Sequence, residues 1–317
     1  MLEQGLLFRM NWIKKILLLT WLIPCLSLAQ TPIVLVVPFS PGGPADQVAK
    51  VIQKTLSQEI NRVVILDHKP GAGGDIANAY VSNWNRQETI LLLQSSALAT
   101  NQALSTPRWN TNSLVPLVYM GSMPLVLVVP SNSRISNLKS WRKLSPEQPV
   151  TWGSAGIGSS SHMYGEVFKN KIQKNLIHVP YKGISQIIPD LISGNIDAAF
   201  VFLSTAEPYI RNNQLIPIAI ASGQRSRSLP TIPTFQEAGL SGMDYYSWFI
   251  LLGNQNNDPA ENQLIQRTML KILSNKVAGL AFQLAGLEIE GRIVDRSFLN
   301  EEINRYREIV KLLGLKQ

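Results

Sequence analysis

Cysteine is almost absent from this 317-residue chain: Cys25 is the only one, and histidine occurs three times. Because a disulfide needs two cysteines and a zinc site needs several Cys or His ligands, neither a disulfide framework nor a metal site is expected. The run Gly156-Ile157-Gly158 does not complete a dinucleotide-binding fingerprint, because Ser161 occupies the third glycine position. The sequence therefore predicts no metal and no cofactor.

The chain also lacks clusters of like charge. Lys and Arg number 29 against 21 Asp and Glu, which gives a formal net charge of +8. No run of Lys or Arg is longer than two, and aromatic residues do not alternate with basic ones as they do in RNA-binding motifs. This pattern is compatible with an anionic ligand and predicts no nucleic acid partner.

One apolar stretch, residues 16–26, follows two lysines and precedes a small-x-small site at residues 27–29. This order is typical of a secretory signal peptide, and about ten apolar residues are too few to span a bilayer comfortably. We therefore predict that residues 1–29 are a cleaved signal peptide and that the protein is exported. A membrane anchor and a lipid anchor at Cys25 are the alternatives. Met10 stands where such a peptide normally begins.

Three apolar, β-branched runs each end in a glycine-rich loop that opens into a helix, at residues 34–46, 63–75 and 150–162. Alternating strands and helices predict an α/β fold whose loops meet at the carboxyl ends of the strands. The first N–H groups of a helix lack intrahelical partners, so they bind anions. Together the three loops predict a carboxylate held between two lobes.

A chain of this size is expected to form two domains. The first crossing between them is predicted near residues 121–124, and a strand at 246–252 returns. Residues 30–122 and 246–317 then form the first lobe and residues 123–245 the second. Each lobe is predicted to be a mostly parallel sheet flanked by helices, with the two crossovers forming a hinge. Single helices are predicted at residues 234–240, 258–278 and 297–313.

Seven short blocks resemble those of one protein family and occur in the family's order. They are residues 37–46, 69–74, 153–162, 178–183, 190–197, 233–240 and 247–249. Through them nearly the whole mature chain resembles the solute receptors of tripartite tricarboxylate transporters, also called Bug receptors. The resemblance implies a two-lobed periplasmic binding protein of type II that closes over a small organic carboxylate or amino acid. It also implies delivery of that ligand to membrane transporter subunits.

The resemblance further implies which residues hold the ligand. Contacts are expected from two glycine loops of the first lobe and the Gly/Ser loop of the second, namely from Phe39, Gly42, Gly43, Asp46, Gly71, Ala72, Gly73, Gly156, Ser159, Ser160 and His162. Ser95 is added because it ends a predicted strand where hydroxyls would face the same crevice, and Tyr181 is added because it lies at the end of another predicted strand. The chain departs from the family pattern at His68 and Asp75, where asparagine is more usual.

Two other functions remain open at this point. A membrane sensor subunit would use the same closure around a ligand, and a secreted hydrolase could use Ser159 or Ser160 with His162. The hydrolase is disfavoured because no Gly-x-Ser-x-Gly elbow is present, and we predict a monomeric receptor without enzymatic activity. For Asp46 the alternative is a purely local role beside the dipole of the first helix.

Overall fold

The computed structural model describes residues 31–145, 147–244 and 246–315. The predicted signal peptide, residues 1–29, lies outside these residues, and so does Cys25. The strands are β1 (Ile33–Val37), β2 (Val64–His68), β3 (Ile90–Ser95), β4 (Leu114–Met123), β5 (Leu125–Pro130), β6 (Val150–Ser154), β7 (Leu176–Pro180), β8 (Ala198–Phe202), β9 (Leu215–Ala221), β10 (Ser247–Asn254) and β11 (Glu288–Ile293).

Helices flank these strands in both halves of the chain. They are α1 (Pro44–Ile60), α2 (Asp75–Ser82), α3 (Ala97–Leu104), α4 (Leu138–Arg142), α5 (Ser160–Ile172), α6 (Ile187–Ile192), α7 (Leu203–Arg211), α8 (Pro259–Ser274), α9 (Lys276–Leu284) and α10 (Arg296–Leu312). Short 3-10 helices cover Ala72–Gly74, Thr111–Ser113 and Ile184–Gln186. Among the helices of residues 31–145, 147–244 and 246–315, none is both long and apolar enough to cross a bilayer.

The strands form two sheets, ordered β11-β4-β10-β3-β1-β2 and β7-β6-β8-β5-β9. Each sheet has a parallel group, β1 to β3 in the first and β6 to β8 in the second. The chain leaves the first sheet at the end of β4 and enters the second through Pro124 as β5, and it returns to the first sheet as β10. A strand that enters where its neighbours end must run the opposite way, so β5 and β10 are antiparallel to both of their neighbours. The sheets are therefore mixed, although most strands in each run in one direction.

Helix α1 shows why the sequence folds as it does beside the site. Pro44 occupies its first turn, where proline's missing N–H has no intrahelical acceptor to lose. Val48, Ile52 and Leu56 form one apolar stripe and are fully buried. Asn61 ends the helix in the left-handed region. The start of α1 is thus fixed directly behind the loop that follows β1.

Two helix predictions were wrong. Residues 234–240 form consecutive turns rather than a helix, and Gly239 adopts a left-handed φ of +84° near their end. Residues 258–278 are interrupted at Asn275, whose extended backbone ends α8 and whose side chain accepts hydrogen bonds from the N–H groups of Val277 and Ala278. An asparagine inside an apolar pattern competes for backbone donors, so it starts a new helix instead of continuing the old one.

Candidate ligand-binding site

A cavity lies where the loops of both sheets meet. It is lined by Phe39, Ser40, Gly43, Pro44, Ala45, Ser95, Ala155, Ser159, Ser160, Ser161, Ile184 and Phe202. Its volume is about 380 Å³ with the open mouth included, and the centre of a water molecule can occupy about 20 Å³ of it. Since one water needs roughly 10–15 Å³ by that measure, the enclosed part holds one or two waters. A larger guest requires the loops to separate before it enters.

Two helices begin at this cavity, one from each sheet. Helix α1 follows β1 and presents Gly43, Pro44 and Ala45, while α5 follows β6 and presents Ser159 and Ser160. The N–H groups of Ala45 and Ser160 have no acceptor within the part of the chain that the structure describes. Each helix start carries a partial positive charge. The two therefore favour an anion between them.

The loop between β6 and α5 is held by its own side chains. Ala155 donates its N–H to Ser161 Oγ at 2.9 Å, Gly156 donates to Ser154 Oγ at 3.1 Å, and Gly158 donates to His162 Nδ1 at 3.3 Å. These three N–H groups are thus occupied within the loop. An anion at this loop can therefore bind only to the first N–H groups of α5. Gly156 positions the loop and does not line the cavity.

His162 supports this loop from within the second sheet's core. Its ring stacks on Trp152 with an interplanar angle of 11° and lies 4.6 Å from the ring of His178, measured between centroids. His178 shares a hydrogen bond of 2.7 Å with Ser154 Oγ. Burial lowers the pKa of both histidines to about 4. His162 does not line the cavity, and as a buried neutral ring it serves the loop.

Asp46 shapes the first glycine loop and does not line the cavity. Its carboxylate is 1% exposed, accepts the Gly42 N–H at 2.8 Å, and pairs with Lys50 and His68 at 2.8 Å each. Burial alone would raise the pKa of Asp46, but the hydrogen bonds from Lys50, Gly42 and His68 outweigh it and lower the pKa. The Gly42 N–H is therefore engaged by Asp46.

We expect Asp46→Asn to lower the free energy of unfolding by about 1–3 kcal/mol, because it weakens charge-assisted hydrogen bonds to a buried acceptor. Lys50→Gln is the matched control, since the Lys50 side chain is 55% exposed and an exposed partner contributes under about 1 kcal/mol. Urea unfolding of both variants tests this. Equal destabilisation by the two would contradict a role centred on the buried carboxylate.

The second glycine loop does not line the cavity either, yet it touches the loop of the opposite sheet. Gly71 and Ala72 lie at or near the surface. Gly73 is buried, and a Cβ atom built on it would lie 2.3 Å from the Ile157 carbonyl oxygen and 2.7 Å from the Ser159 nitrogen. Only glycine therefore permits this approach between the loops of the two sheets.

Tyr181 does not line the cavity either. Its hydroxyl donates to Asp190 Oδ2 at 2.7 Å, and burial, with Asp190 beside it, raises the pKa of Tyr181 to about 12. Of the two departures from the family pattern, His68 pairs with Asp46, and Asp75 accepts the indole N–H of Trp109 at 2.8 Å. Neither lines the cavity. These side chains stabilise the surrounding loops.

Three buried serines join the sheets behind the cavity. Ser160 Oγ on α5 lies 2.9 Å from Ser96 Oγ, at the start of α3, and 2.9 Å from Ser247 Oγ, at the start of β10. At the mouth, Ser185 Oγ donates to the Pro41 carbonyl oxygen over 3.4 Å. These hydrogen bonds hold the loops together in the closed arrangement.

Of the predicted contacts, Phe39, Gly43, Ser95, Ser159 and Ser160 line the cavity. The lining residues that sequence reasoning did not select are Ser40, Pro44, Ala45, Ala155, Ser161, Ile184 and Phe202. Five of these are adjacent in sequence to selected residues, so including the immediate neighbours of each selected residue would have found them. Ile184 and Phe202 had no distinguishing signal, because an apolar residue at a cleft has the same pattern as one in the core.

The chain resembles known proteins in both sequence and fold. A model of the tripartite tricarboxylate transporter family receptor matches residues 48–315. BugT of Bordetella pertussis is 30% identical over 293 residues, which cover 90% of each chain. The solved structure of the periplasmic binding protein BugD aligns with a TM-score of 0.83 at 20% identity, covering 90% of this chain and 99% of that one.

A second solved structure, R. palustris Rpa4515 with adipate, also has a TM-score of 0.83, at 22% identity, covering 90% of this chain and 98% of the other. At these identities the two structures show the fold: two sheets with flanking helices, as in periplasmic binding proteins. The match to the family model and the 30% identity to BugT also show to which family the chain belongs. The chain belongs to the receptor family of tripartite tricarboxylate transporters, whose members bind substrates and are not enzymes.

Proposed function

We propose that this protein is an extracytoplasmic receptor that captures a small carboxylate between two lobes and presents the closed form to a tripartite transporter. Its lobes are residues 30–122 with 246–317, and residues 123–245. The observation that carries the proposal is the meeting of two helix N-termini, from different sheets, at one cavity. Residues 1–29 would direct the chain to the periplasm, where it would act as a monomer.

The cavity offers enough donors for useful affinity without a basic side chain. Ser40, Ala45, Ser95, Ser159 and Ser160 line it, and within the described residues the N–H groups of Ala45 and Ser160 have no acceptor. Charge-assisted hydrogen bonds contribute about 1.5–3 kcal/mol each, and a helix start adds up to ~2 kcal/mol when partly buried. Four such contacts, less the cost of association, reach the ~8 kcal/mol of a micromolar complex. The remaining predicted contacts would act by shaping and closing the loops.

Calorimetric titration tests this function. Protein expressed from the full chain is freed of ligand by unfolding and refolding, then titrated with organic acids and, as controls, with their primary amides. We expect a dissociation constant of about 1–100 μM for at least one acid and no heat from its amide, because only the carboxylate is stabilised by the helix starts. Small-angle scattering should show compaction on binding. Absence of any acid binding below about 1 mM would contradict the proposal.

A further inference from the structure

We infer that the carboxamide of Asn101 is the surface onto which the loops of the two sheets close, and that its contact with Gly158 sets how slowly a bound ligand leaves. The inference rests on the proposed receptor function and deepens it by naming a positioning residue. Asn101 lies on α3, and Gly158 lies in the loop between β6 and α5. Asn101 does not line the cavity, so it acts through the loops and not on the ligand.

Helix α3 starts beside the contacts that join the two sheets. Ser96, directly before it, has its Oγ 2.9 Å from the Oγ of Ser160 on α5. Thr100 Oγ1 donates to the Ser96 carbonyl oxygen at 3.1 Å, and the side chains of Leu98 and Thr100 are buried. These contacts fix the backbone of α3. Asn101 follows Thr100 on the helix and is itself half-buried, with its side chain between loops of the two sheets.

One end of the Asn101 carboxamide holds the second glycine loop. Its Nδ2 donates to the Gly73 carbonyl oxygen at 3.1 Å. Ala72, just before Gly73, has a left-handed φ of +47°, which alanine adopts only where its surroundings hold it. The hydrogen bond from Asn101 is one contact that does so. It thereby fixes Gly73, the residue that approaches Ile157 and Ser159 of the opposite loop.

The other end of the carboxamide meets the loop of the opposite sheet. A carbonyl oxygen can only accept a hydrogen bond, so the bond to Gly73 fixes which end of the amide is Nδ2 and which is Oδ1. Oδ1 lies against Gly158: a Cβ atom built there would overlap Oδ1 and would lie 2.7 Å from Cγ and 3.3 Å from Nδ2. The three atoms nearest to that Cβ thus all belong to Asn101. Only glycine can occupy this position while the loops are together.

The contact between Asn101 and Gly158 joins the two proposed lobes, and this gives it a kinetic role. Asn101 and Gly73 belong to the same lobe, so their hydrogen bond survives when the lobes separate. The contact with Gly158 does not survive. A ligand reaches the open protein before this contact forms, and it leaves after the contact breaks. Loss of the contact should therefore speed dissociation and leave association almost unchanged.

Two substitutions of Asn101 test this role. Asn101→Ala removes the carboxamide, and Asn101→Asp keeps its shape but sets a carboxylate against the Gly73 carbonyl oxygen, where two acceptors repel each other. Gln102→Ala is the matched control, because Gln102 is next on α3 and its side chain makes no hydrogen bond within the described residues.

Stopped-flow kinetics with acetate, succinate, citrate and glutamate as probes supplies the measurement. Dissociation from both Asn101 variants should be at least about tenfold faster than from the wild type, with association changed by less than about twofold. The Gln102 variant should match the wild type. Unchanged dissociation from the Asn101 variants, or a loss of affinity that lies wholly in association, would overturn the inference.

A double variant isolates the contact between the two residues. Gly158→Ala alone places a methyl group against Asn101 Oδ1 and should weaken binding of the same probes at least about a hundredfold. Adding Asn101→Ala removes the three atoms nearest to that methyl group, so the double variant should bind at least about tenfold more tightly than Gly158→Ala alone. Thermal unfolding establishes that each variant is folded. Weaker binding by the double variant than by Gly158→Ala alone would mean that the residues act independently, which overturns the inference.

Failure of the inference can be told from failure of the receptor function. If no organic acid binds the wild type, the receptor function is overturned, and small-angle scattering of the ligand-free proteins then tests the contact. Gly158→Ala should have a larger radius of gyration than the wild type, and the double variant should return to the wild-type radius. Equal radii in all three proteins would overturn the inference as well.

Discussion

Replacing Gly73 with alanine is expected to weaken ligand binding by at least about a hundredfold while leaving the protein folded. The added Cβ would lie 2.3 Å from the Ile157 carbonyl oxygen and 2.8 Å from the Gly158 carbonyl carbon. Both are backbone atoms of the opposite loop, so they cannot move aside as a flexible side chain would. The clash disappears when the loops separate. The substitution therefore opposes closure and has much less effect on folding.

Gly194 provides the matched control for this variant. Gly73 and Gly194 have φ values of +59° and +79°, but a Cβ on Gly194 would have no atom within 4 Å. Both alanine variants share the cost of a left-handed conformation, about 1–2 kcal/mol, and only the first blocks the approach of the loops. Calorimetry and small-angle scattering should show lost affinity and an open form for Gly73→Ala alone. Equal affinities would mean that the loops need not meet for binding.

The sequence predicted the parts of the site that depend on local chemistry. The glycine-rich loops at residues 34–46 and 150–162 were predicted to open into helices, and in the structure α1 begins at Pro44 and α5 at Ser160. The strands before them were continuous and apolar. From these signals followed the α/β class and the presence of both loops at the carboxyl ends of strands.

What the sequence could not predict depends on side-chain direction. Asp46 and His162 stand in the predicted loops, but Asp46 turns back to Gly42 and His162 turns inward to Trp152. A residue's position in a helical turn does not tell whether its side chain faces the cavity or the loop behind it. Ile184 and Phe202 face the cavity but have the pattern of core residues. Only contacts between distant segments distinguish these cases.

The other large expected effect is a loss of stability in mild acid, and it comes from the paired histidines that support the loop between β6 and α5. Burial holds the pKa of His162 and His178 at about 4, against 6.5 in the unfolded chain. Between these values the unfolded chain binds protons that the folded protein does not. Stability is therefore complete above about pH 6.5 and falls as the pH drops towards 4. At 1.36 kcal/mol per pKa unit, each histidine contributes about 2–3 kcal/mol to this loss.

The charged groups that face the histidines modify the size of this loss but not its sign. Lys169 further lowers the pKa of both rings. Glu166 Oε1 lies 3.8 Å from His162 Nε2, and burial raises the pKa of Glu166. A buried acid with a raised pKa costs stability while it is ionised, and this cost disappears as the acid is protonated at falling pH, so Glu166 offsets part of the effect. Elsewhere in the fold, Asp46 has a lowered pKa, so its stabilising contribution is lost only as the pH falls below about 3.8, outside this window.

Urea unfolding at pH 7.5 and pH 5 measures the effect directly. The wild-type free energy of unfolding should fall by several kcal/mol between these two conditions, whereas a variant carrying His162→Gln and His178→Gln should fall much less. Glutamine has no proton to gain, and it still offers an acceptor to Gly158 and a partner to Ser154, which the histidines now supply. If the free energy of unfolding of the double variant fell as much as that of the wild type between these two pH values, the acid sensitivity would belong to other groups. The loop's stability would then not depend on keeping these rings neutral.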